Sequence, residues 1–148
     1  MGERKGWDHQ TPIELGIPEI IPVTTPAAGA DWTQTVPANT LWLIQAISYD
    51  FQTVGGFGGR RTRLRLTDGT STMNIGFQTP DQPAGVTRNH LYTASPGPSP
   101  VTEFLVGTLI PRLYLLPSWI ITSATINIQA GDIFSEINLY VHRWLLTT

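Results

Sequence analysis

Four arginines, Arg60, Arg61, Arg63 and Arg65, fall within six residues directly behind the glycine-rich run "GGFGG" that begins at Gly55. Backbone amides of a glycine loop together with guanidinium groups can hold a phosphate, provided the glycines open a helix whose amides and dipole converge on the anion. Here they open "RRTRLRL", which alternates strictly, with Thr62, Leu64 and Leu66 on one side and Arg61, Arg63 and Arg65 on the other. The glycines therefore lead into a strand, and three arginines form a stripe at intervals of about 6.6–6.8 Å. Two roles suit it. It is a charged outer face that protects a sheet from edge association, or a row of forked donors for a neighbour's carboxylates and carbonyls, a task arginine performs better than lysine. Nucleic acid is not the expected partner, because the net charge is −2 and no basic field surrounds the stripe.

Other chemistry is thinner. His9, His90 and His142 are far apart, and none has a second histidine or a carboxylate at ligand spacing. Asp31, Asp50, Asp68, Asp81, Asp132 and Glu136 are scattered, mostly in turn-like stretches where Asp bonds its own backbone. Cysteine is absent and no Gly-x-Ser-x-Gly elbow occurs. The expectation is a protein that is not an enzyme, with no catalytic residue, no metal site and no cofactor. Trp32, Trp42, Trp119 and Trp144 lie in or beside strand-like runs, which suits core or interface anchors better than a sugar-stacking platform.

The elements that must carry these residues divide the chain in two. Residues 1–28 contain Pro12, Pro18, Pro22 and Pro26, too closely spaced for an ordinary helix, and read as an extended arm. Its Trp7, Ile13, Leu15, Ile17, Ile20, Ile21 and Val23 are too apolar for a solvated tail. They need a cover, supplied by the chain's own domain or by a neighbouring subunit. Residues 29–148 read as about eight short strands joined by turns and one long loop, "SPGPSPVTE", and predict an antiparallel β-sandwich or jelly roll. Within "LWLIQAISYDFQTV", Trp42 and Ile44 share a face, whereas Ile47, Tyr49 and Phe51 have the opposite parity. A β-bulge near Gln45 and Ala46 would bring them to one side. In "DIFSEINLYVHRWLL" the alternation places Ile133, Ile137, Leu139 and Val141 together. No run approaches the ~18 apolar residues of a membrane span, no secretory h-region opens the chain, and no membrane partner is expected. Only 14% of residues are charged, against about 25% in ordinary soluble domains. Such an uncharged polar surface suits a protein that meets other protein over a large area.

The segments "ADWTQTVPANTLWLIQAISYDF", "RRTRLRLTDGT" and "LYLLPSWIITSATINIQAGDIFSEINLYVHRW" resemble small β-sandwich virion proteins of tailed bacteriophages, with the Leu116–Trp119 corner and the Gln129–Asp132 turn as the best matches. The resemblance spans roughly Ala30 to Trp144 and is a pattern of strand ends. It implies a jelly-roll structural subunit of a phage particle, made in the host cytoplasm and placed on the capsid surface. There it would act as a decoration (cement) protein, with the major capsid protein and copies of itself, as a homotrimer, for partners. The alternative is a receptor- or glycan-binding module on a head fibre or tail. The residues expected to bind a partner are Trp7, Ile13, Ile17, Ile20 and Ile21 of the arm and Arg61, Arg63 and Arg65 of the stripe.

Overall fold

The computed structural model describes residues 15–56, 58–77, 81–94 and 105–147, and at 105 and 106 the backbone alone. Its strands are β1 (Ile17–Pro22), β2 (Thr33–Thr35), β3 (Thr40–Gln52), β4 (Arg63–Thr67), β5 (Thr72–Phe77), β6 (Thr87–Thr93), β7 (Leu105–Leu109), β8 (Tyr114–Leu115), β9 (Ile120–Ser123) and β10 (Ile133–Leu145). They form two sheets, one in the order β1-β10-β3-β6-β7 with β8 also on β3, the other β2-β9-β4-β5. In each, the last strand lies between the first and the second, the interleaving of a jelly roll. The fold is therefore the all-β sandwich the turn spacing predicts. Nine of its ten described strands lie within residues 29–148, where about eight are expected, and the tenth, β1, comes from the segment the sequence assigns to the arm. All pairings are antiparallel except β6 with β7, which run parallel.

Trp32, Trp42, Ile44, Ile47, Tyr49, Phe51, Leu64, Tyr92, Leu115, Ile121, Phe134 and Leu139 are buried in one cluster between the sheets. The parity problem in β3 is solved at the expected place: Tyr140 pairs with Ala46 and Val141 with Ile44, leaving Gln45 as the extra residue. That bulge lets Trp42 and Ile44 share the core with Ile47, Tyr49 and Phe51. A second irregularity lies in β10, where Ser135 pairs with Asp50 but Asn138 pairs with Ser48. Glu136 there has φ of 50°. It corrects the expected alternation of this strand: Ile133 is exposed and Phe134 is buried, because the left-handed residue reverses the parity before Ile137.

Trp7 and Ile13 lie outside the described residues. Residues 17–22, which the sequence assigns to the arm, form β1 at the edge of the larger sheet, antiparallel to β10. Val23 is buried in the core, and its N–H donates to the Ile137 carbonyl at 2.9 Å. Odd-numbered residues of β1 thus turn their N–H groups to β10. Pro18 and Pro22, which have none, face the free edge, the position at which a sheet tolerates proline.

Candidate interaction surfaces

The stripe is built as the alternation requires: Leu64 and Leu66 point into the core, while Arg61, Arg63 and Arg65 face outward. Each guanidinium is engaged by its own chain. Nε of Arg61 donates to Asp81 Oδ1 at 2.6 Å, Arg63 to the Ala124 carbonyl at 3.1 Å and Arg65 to Asn74 Oδ1 at 3.2 Å.

Arg60 behaves differently. Parity puts it on the side of Thr62 and Leu64, and its side chain is fully buried against Asp132, Nε to Oδ2 at 3.0 Å. Its Nη1 donates to the Gly58 carbonyl at 2.8 Å and its Nη2 to the Val54 carbonyl at 3.2 Å. Asp132 also accepts from the Val54 and Gln129 amides, at 2.9 and 2.8 Å. Burial alone would raise the Asp132 carboxyl, but the hydrogen bonds from Arg60, Gln129 and Val54, with the charge of Arg60, hold it below the usual carboxylate range. The pair ties the ends of the glycine loop to the turn before β10, so one of the four clustered arginines is a structural staple. Sequence reasoning missed this role, although strict alternation had already placed Arg60 on the inner side.

Between the sheets lies a second polar group. Gln82 Nε2 donates to the carbonyls of Phe51 and Val86, at 2.6 and 2.8 Å. Its Oε1 must then accept from His90 Nε2, 2.7 Å away, which leaves His90 Nδ1 to accept from the Thr62 hydroxyl at 3.4 Å. Thr62 continues to Tyr92 and Tyr92 to Tyr49, at 3.3 and 3.0 Å. Burial, then the charge of Arg88, pushes His90 down to about 3, so the ring is neutral. Burial, then Tyr92, pushes the Tyr49 hydroxyl well up. Every member is satisfied and enclosed, which makes this a core network linking β6 to the segment before β4. Among the described residues, no three His, Asp or Glu side chains gather as a metal site would require.

One end of the larger sheet is apolar. Leu15, Ile17, Tyr114, Leu145 and Leu146 are exposed there, Leu145 by 67%, with Ile17 and Leu145 on the parity of the core-facing residues and Tyr114 on the opposite one. Gly16, at φ of 77°, passes so close to Trp144 that a Cβ would lie 2.7 Å from the indole ring. The Trp144 and Tyr114 rings meet at 6.0 Å, reaching across β3, which runs between their strands. Beside this end, the adjacent strands β1, β10 and β3 carry an open groove of about 370 Å³ lined by Pro18, Glu19, Ile20, Gln45, Tyr140, Val141 and His142. Of the arm residues named from sequence, Ile17 belongs to the apolar end and Ile20 to the groove, while Ile21 is half-buried against the core. The stripe is on the other sheet and does not join them.

The chain matches no protein-family model, no curated protein and no solved structure.

Proposed function

We propose that this chain is a structural protein of a bacteriophage virion, a capsid decoration protein that stabilises the shell by binding between major capsid subunits. The observation that carries the reading is the exposed apolar end of the larger sheet, formed by Leu15, Ile17, Leu145 and Leu146 where the arm enters. Isolated apolar residues on a surface need no explanation, but a contiguous set beside an apolar arm marks a protein contact. The resemblance of the strand-end pattern to small β-sandwich virion proteins supports the same reading. Burial supplies the energy, at about 25 cal/mol per Å² of apolar area, and a contact repeated around a symmetric oligomer, with a trimer as the proposed form, multiplies it through avidity.

The test is co-sedimentation of the purified protein with heads that lack it. Because β1 and Val23 belong to the sandwich, an arm truncation has to stop before Leu15. Removal of residues 1–14, and separately Leu145→Ser, should leave a folded protein that fails to sediment with heads. Wild-type occupancy by both variants would remove the proposal.

A further inference from the structure

We propose that the groove at the Gln45 bulge binds a neutral saccharide. This goes beyond the decoration reading and does not depend on it. The groove's volume, about 370 Å³, is in the range of small-molecule sites, roughly 300–1,000 Å³. Its floor is three adjacent strands of one sheet, the rigid support that a precise site needs.

The chemistry of the lining selects the ligand. Pro18 and Ile20 supply apolar surface and Tyr140 an aromatic ring. Gln45 and Tyr140 offer an amide and a hydroxyl that no described residue engages. His142 Nδ1 lies 3.1 Å from the Leu15 carbonyl, which can only accept, so Nδ1 carries a proton and donates it there. The one fixed charge on the lining, Glu19, is paired with Arg143. A phosphate or sulfate would find no lysine or arginine in the lining, and a cationic ligand would find its carboxylate already paired. What fits is an uncharged molecule with apolar faces and several hydroxyls, the description of a sugar ring, with the tyrosine as its stacking partner. An extended peptide adding to the edge of β1 is disfavoured, because Pro18 and Pro22 remove donors from that edge. The bulge gives Gln45 its place in the lining, and bulges are recurrent devices for aiming a side chain beside a site.

The full chain should be titrated with the methyl glycosides of glucose, galactose, mannose and N-acetylglucosamine and their short oligomers, read by saturation-transfer NMR and calorimetry. At least one should bind with a dissociation constant of about a millimolar or tighter. Gln45→Ala and Tyr140→Ala should each weaken it about tenfold or more, Tyr140→Phe less, and Leu145→Ser not at all. Thermal melts of each variant keep a folding defect from passing as a binding one. Absence of binding across the panel, unchanged affinity in Gln45→Ala and Tyr140→Ala, or preference for sialic acid or a sugar phosphate would overturn the proposal. Any of these would leave the shell-binding test at Leu145 untouched.

Discussion

The guanidinium of Arg60 and the carboxylate of Asp132, 72 residues apart in the chain, meet at 3.0 Å with neither side chain reached by solvent. Breaking one half of such a pair leaves an uncompensated buried charge, at a cost of about 3–5 kcal/mol. Arg60→Met and Asp132→Asn should therefore each lower the unfolding free energy measured by chemical denaturation by that order. The double variant Arg60→Met/Asp132→Asn should lose less than the sum of the two single variants, because it buries no lone charge. Strict additivity in chemical denaturation would contradict the staple.

His90 makes stability depend on acid. Its folded value of about 3, set first by burial and then by the charge of Arg88, lies below the ordinary histidine value. Between the two the unfolded chain takes up a proton that the folded protein refuses. Stability should thus be level above about pH 6.5 and fall as pH drops below it, by about 1.4 kcal/mol per unit once the unfolded ring is protonated. Asp132, held low in the fold, should add a loss in the same direction below about pH 4. Unfolding midpoints measured from pH 8 to pH 4 check the slope, and His90→Gln should flatten it above pH 5.

Leu64→Ala should cost about 2–5 kcal/mol by opening a cavity in the core. Arg63→Ala, which gives up one hydrogen bond to the Ala124 carbonyl, should cost less than about 1.5 kcal/mol. Equal effects in thermal melts would contradict the register of β4.

Deletion of Gln45 separates folding from the groove. Without it, Ile44 and Ile47 still share parity across a single intervening residue, so the strand can pair regularly with β10. The deletion should melt closer to wild type than Leu64→Ala does, yet lose the saccharide response. A deletion that fails to fold would show that the bulge serves the sheet instead.

Side-chain parity carried much of the fold into the sequence. The clash between Trp42–Ile44 and Ile47–Phe51 locates the bulge at Gln45, and the arginine alternation orients β4. Parity misplaced Ile133 because nothing in "DIFSEI" signals that Glu136 adopts a left-handed conformation. The buried role of Arg60 was hidden because its carboxylate comes from a distant turn, which only tertiary pairing brings near. The groove was illegible for the same reason: Ile20, Gln45 and Tyr140 become neighbours through the pairing of β1, β10 and β3. The arm prolines spoke against a helix or a central strand and left open what the arm lies on; Pro18 and Pro22 sit on the edge strand β1 with their missing donors at its open edge.

The position of the chain in an intact particle tests the central proposal most directly. Under the proposal, electron cryo-microscopy of the phage virions that carry this chain should show the sandwich on the outer shell, between capsid subunits at a symmetric position. The end bearing Ile17 and Leu145 should be turned to the shell. Particles whose shell lacks this density, with the chain absent from the virion or confined to a few copies at the tail, would contradict it.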